Sequence, residues 1–185
     1  MYKNKFKLMI LAVAIGTLTF QGCKKDKLPD VNDNELITTL RLKFVNNANA
    51  ADVKLVTWRD LDGDGGAAPV IDPLNLKASA TYSVSVDAIL DESKTPAADI
   101  KADVLEENFD HLLVYAPSTG LNLTFSNFDK DKNNLPVGLT ATGTTGAANT
   151  GTLKITLRHQ PDVKNGTFAP GSTDVESIFP VTIAN

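Results

Sequence analysis

Three groups of residues have the types and the spacing to do chemistry. In WRDLDGDGGAAPV, residues 58–70, Asp60, Asp62 and Asp64 alternate and a Gly65-Gly66 turn follows. Calcium takes six to eight oxygens at about 2.3–2.6 Å, and a tight acidic turn can converge that many around one ion. The pattern matches the first half of an EF-hand loop, D-x-D-x-[DN]-G. The second half departs from it: Ile71 stands where the twelfth-position Glu belongs, and Pro69 breaks the downstream flank. The three acids are therefore candidate calcium ligands on some other scaffold, weighed against a plain solvated turn, since Asp and Gly are turn residues in their own right. A weaker echo follows in NFDKDKNNLPVGL, where Asp129, Asp131 and Asn133 share the spacing but lysines intervene and the glycine is missing.

The second group is the histidine pair, His111 and His159, with Glu106, Glu107 and Asp110 just ahead of the first. Imidazoles with carboxylates form zinc sites, but no HExxH or paired-cysteine spacing supports one here, and each histidine reads equally well as a packed, hydrogen-bonded side chain. Catalytic signatures are absent: there is no G-x-S-x-G elbow, phosphate-binding glycine loop or dinucleotide fingerprint. The expectation is a protein that is not an enzyme. A small carboxylate-dependent hydrolase stays open as an alternative, because the geometry of a carboxylate pair is not written in sequence. Trp58 and Phe128, one before each acidic loop, read as aromatics capping a core in preference to a sugar-stacking platform.

The third group is Cys23 and what precedes it. Lys3, Lys5 and Lys7 are followed by the apolar run LMILAVAIGTLTF and then Gln21-Gly22-Cys23. A basic start, a short apolar stretch and a small residue before the processing point read as a secretory signal over residues 1–22. Cys23 is the sole cysteine, so it forms no internal disulfide. Its position resembles the lipobox of bacterial lipoproteins, which implies acylation of Cys23 (a palmitate-type modification) and a membrane anchor. Several acyl chains, each buried methylene contributing about 0.8 kcal/mol, hold a protein stably. Residues 24–34 are charged and aperiodic, a tether from the acylated Cys23 to a folded part over 35–185. Loss of three lysines with the signal takes the formal charge from −4 to −7, which argues against a nucleic-acid partner.

The elements that must position these groups are mostly strands. Leu36, Leu40, Leu42 and Phe44 alternate with polar residues; so do Tyr82, Val84, Val86, Ala88 and Leu90, and Leu153, Ile155 and Leu157 ahead of His159. Period two over short runs is the pattern of half-buried strands. Residues 97–108 break it, with Ile100 and Val104 at helical spacing behind Pro96, and predict one short helix. The small polar link TTGAANTG between VGLTATG and TLKITLRH predicts a hairpin. Seven to nine such strands make an all-β antiparallel β-sandwich, Ig-like or a related Greek key, with a small closed barrel as runner-up.

Several phrases, TWRDLDGDGGAAPVID, LDESKTPAADI, the DxDxN-LPVGL stretch, TGTLKITLRHQPDVKNG and FPVTI, resemble small outer-membrane lipoproteins of Bacteroidota whose function is not established. The resemblance covers most of the chain after the signal. It implies a place beside TonB-dependent outer-membrane receptors and an accessory role in nutrient or metal uptake. The leading expectation is thus a lipid-anchored accessory or binding protein of the cell envelope, at the outer membrane with its face undecided, calcium-stabilised, with a receptor and an unspecified small ligand as partners. Metal capture by His111 and His159 is the alternative.

Overall fold

The computed structural model describes residues 36–63 and 65–185. The signal segment, Cys23, the tether and Asp64 lie outside the described residues. The chain runs β1 (Thr39–Asn46), β2 (Val53–Arg59), β3 (Val70–Ile71), β4 (Leu74–Lys77), β5 (Thr81–Asp91), β6 (Ala98–Asp99) and α1 (Ile100–Glu106). It continues through β7 (His111–Pro117), β8 (Leu123–Ser126), β9 (Thr140–Thr145), β10 (Asn149–His159) and β11 (Ser172–Ala184). One sheet has the order β3-β2-β1-β5-β9-β8, with β6 also paired to β5; the other has the order β4-β11-β10-β7. All pairings are antiparallel except that of β4 with β11. The result is the expected all-β sandwich of two packed sheets. Each sheet keeps two edges, so the closed barrel is not formed.

Alternation explains most of the core. Leu40, Leu42 and Phe44 of β1 are fully buried, as are Leu153 and Ile155 of β10 and Phe179 of β11. Each such side chain stabilises the fold by roughly 1.5–3 kcal/mol through removal from water. Trp58 is buried in the same cluster and Phe128 packs against it, so both aromatics belong to the core. Val104 and Ile100 turn the buried side of α1 inward, and Asp99 caps it by accepting the Ala102 N–H at 3.3 Å. The helix is shorter than the 97–108 expected, because β6 takes 98 and 99 and Leu105 faces solvent.

Three expectations need correction. Leu90 does not point inward; Ile89 does. Arg41 faces Ala88 while Leu42 faces Val86, so Asp87 is an extra residue in β5, and one extra residue flips the parity of everything after it. Asp87 turns outward to bind Arg41 Nε at 2.5 Å. Leu36, expected on the inner face of the first strand, lies before β1 and is exposed. The β9–β10 link is no hairpin either: β9 pairs with β5 and β8, β10 with β11 and β7. A short link of small polar residues serves equally well as a corner between sheets, and only the partners of the flanking strands decide which.

Candidate metal centre

The end of the second sheet brings both histidines together. β7 and β10 pair so that Leu113 faces Leu157 and Tyr115 faces Ile155, and continuing that register sets His111 directly opposite His159. Their rings stack with centroids 4.8 Å apart and an interplanar angle of 8°. Apolar packing along the strands therefore fixes the register that juxtaposes two polar rings at the end.

A carboxylate joins them from β11. Leu157 faces Val175 and Arg158 faces Thr173, which leaves Asp174 as the extra residue of a bulge. In an unbroken strand the buried positions Val175, Ser177, Phe179, Val181 and Ile183 would send Asp174 outward with Glu176 and Ile178. The bulge redirects it, as such irregularities do beside functional groups. Asp174 Oδ2 stands 3.9 Å from His111 Nε2, and one donor atom from each of the three residues lies within 4.8 Å of the others. Among the described residues this is the one group of three or more His, Cys, Asp or Glu side chains that converges in this way. Sequence reasoning missed Asp174, because a bulge depends on the partner strand.

The tautomer of His111 follows from its other nitrogen. Nδ1 lies 3.0 Å from the Glu107 carbonyl, which only accepts, so Nδ1 carries the hydrogen and Nε2 is a bare lone pair in the neutral ring. Glu107 is the C-cap of α1, its own N–H donating to the Asp103 carbonyl at 2.9 Å. The helix thus presents a fixed acceptor that aims the imidazole, the arrangement that metal-ligating histidines use. Burial holds His111 below its ordinary 6.5, against the opposing pull of the Glu107 carbonyl. Burial likewise pushes Asp174 above its ordinary 3.8, although His111, His159 and Arg158 act the other way. Two desolvated acceptors, Nε2 and Oδ2, face each other at 3.9 Å, and a cation between them relieves the arrangement.

The donors fit a borderline transition metal. Zinc binds imidazole nitrogen and carboxylate oxygen at about 2.0–2.2 Å, which places tetrahedral donors about 3.4 Å apart. Small side-chain rotations close the gap from the distances here. Calcium, which selects an all-oxygen shell, suits two imidazoles poorly.

The loop 160–171 buttresses the cluster. The Gln160 N–H donates to the Asp110 carbonyl at 2.6 Å, tying the strand ends beyond the two histidines. The Gln160 amide donates to the carbonyls of Thr167 and Pro170, both at 2.9 Å. Arg158 donates to the Pro170 and Gly171 carbonyls and to Thr173, with the Phe168 ring 4.6 Å from its guanidinium carbon. Gly171 has φ +78°, and a Cβ there would overlap the His159 carbonyl oxygen, so this close approach requires glycine.

The acidic loops lie elsewhere. The first joins β2 to β3 at one edge of the first sheet, and the second joins β8 to β9 at the other, four strand spacings or roughly 19 Å apart. Asp60 accepts the Gly63 N–H at 3.0 Å and Asp62 the Ala67 N–H at 2.8 Å. A Cβ at Gly66 would collide with the Asp62 carboxylate. These are the bonds of a tight turn, and the third acid of the pattern, Asp64, lies outside the described residues. In the second loop Asp129 accepts from the N–H groups of Gly138 and Thr140 at 3.0 and 2.9 Å. Asp131 accepts from those of Asn133 and Leu135 at 2.8 and 3.0 Å and from Lys164 Nζ at 2.9 Å. Asn133 contributes its backbone to that turn. The cation serving Asp131 is thus the Lys164 ammonium, which also donates to the Asn108 carbonyl at 2.7 Å. Shallow grooves on the outer face of the first sheet, both lined by Lys43, Ser85 and Thr140, share no residue with the histidine cluster.

The chain matches no family model, no curated protein and no solved structure. Among the described residues no helix is long and apolar enough to cross a membrane.

Proposed function

We propose that this protein is a lipid-anchored binding protein of the cell envelope that captures a transition-metal dication, zinc(II) foremost, through His111, His159 and Asp174. The observation that carries the reading is the approach of Asp174 Oδ2 to the unprotonated Nε2 of His111 beside the stacked His159 ring. The metal-capture alternative of the sequence therefore moves ahead of the general accessory role and gives it content: assistance to metal uptake at the outer membrane, beside a receptor. No covalent step is assigned to the site.

Calorimetric titration of the full chain with zinc(II) tests this. A stoichiometric heat is expected, and it should vanish in His159→Ala and in the near-isosteric Asp174→Asn. Absence of heat in the unsubstituted protein would sink the proposal. The anchor is tested separately: radiolabelled palmitate should enter the protein and be lost with Cys23→Ala, and label that persists in that variant refutes acylation at Cys23.

A further inference from the structure

We infer that the metal centre is completed by a small exogenous anion, so that the protein holds metal and ligand together as a ternary complex. This rests on the metal reading above. Three donors come from three adjacent strands of one sheet end: His111 on β7, His159 on β10 and Asp174 on β11. Donors rising from one sheet occupy one side of an ion and leave the other side to whatever approaches it. The side chains of His111 and Asp174 are buried, 8 % and 7 % exposed, and form the floor, whereas His159 is only partly buried and marks the side that solvent reaches. The group has three members among the described residues, one fewer than a closed tetrahedral site contains.

Charge selects the class of the fourth ligand. His111 is neutral when its Nδ1–H is given to Glu107 and its Nε2 to a metal. A ligating His159 is neutral because an imidazole nitrogen bound to a metal carries no proton, and Asp174 brings one negative charge. A dication therefore retains one positive charge in a partly desolvated site. The Arg158 guanidinium, which donates to Thr173 next to Asp174, adds to it. A monoanionic oxygen or nitrogen donor neutralises that excess directly, whereas metal-bound water does so only by releasing a proton. The ligand class is that of a carboxylate or a comparable small anion, of the kind that travels with a metal ion as a chelate.

Cobalt(II) provides a visible stand-in for zinc, and azide a probe anion. The full chain loaded with cobalt(II) should develop ligand-field bands of a low-coordinate site, absent in His159→Ala and in Asp174→Asn. Azide should shift those bands, add a charge-transfer band and tighten cobalt(II) binding about tenfold by linkage. Imidazole, a neutral donor of similar size, should tighten it less. Cobalt bands that azide leaves unmoved would overturn the anion inference while preserving the metal site. Absence of cobalt bands in the unsubstituted protein would overturn both.

Discussion

His111 and His159 occupy opposed positions on β7 and β10, with rings stacked 4.8 Å apart and nearly parallel. Stacking and the proposed ligation are separable contributions of this pair. In His159→Phe the ring contact persists and the nitrogen is lost. Zinc(II) affinity should fall by more than about 100-fold, beyond the cost of losing an outer-shell partner. The metal-free protein should keep its stability to within about 1 kcal/mol. Calorimetry and urea unfolding of the same preparation read the two effects.

Gly171 supports the same strand end through its approach to the His159 carbonyl. Gly171→Ala combines a left-handed backbone with a steric overlap and should destabilise the protein by about 2–4 kcal/mol. Denaturant unfolding measures the loss. A change below about 0.5 kcal/mol would mean that the loop 160–171 relaxes freely away from β10.

Lys164 and Asp131 join that loop to the second acidic loop, their side chains 3 % and 0 % exposed. Lys164→Met leaves the Asp131 carboxylate without its cation and should cost about 1–3 kcal/mol. The value lies below that of a pair deep in the core, because both residues belong to loops outside the two sheets. Adding Asp131→Asn to Lys164→Met should recover part of the loss, and a double-mutant cycle in urea reads the coupling.

The same carboxylate sets an acid limb. Burial alone would raise the pKa of Asp131, but Lys164 and the N–H groups of Leu135 and Asn133 outweigh it and hold the group below its ordinary 3.8. A carboxyl lowered by folding contributes stability that is complete above pH 3.8 and is lost as the pH falls through its folded value. Stability should therefore decline below pH 3.8, and Asp131→Asn should flatten that decline. Unfolding midpoints measured down the acid range test it, and an unchanged slope in Asp131→Asn would contradict it.

Much of the frame was legible in the residues. The alternation in β1, β5 and β10 predicts half-buried strands, and it places His159 on the inward parity of β10 behind Leu153, Ile155 and Leu157. The spacing of Ile100 and Val104 predicts α1. The parallel pairing of β4 was not legible, since LNLK is too short to carry a period and its partner, β11, comes about a hundred residues later.

The chemistry divides along the same line. Residue types and local periodicity determined that the chain is a β-sandwich, that it owns two histidines, and that its acids cluster in turns. These follow from side-chain polarity and from the two-residue repeat of a strand, both local properties. Only the tertiary structure decided which carboxylate belongs with the histidines. The acidic loops, conspicuous in the sequence, turn inward on their own N–H groups and on Lys164. Asp174, inconspicuous in STDVES, reaches the imidazoles because Arg158 pairs with Thr173 and leaves Asp174 out of register. A bulge is a mismatch between two strands, so neither strand encodes it alone.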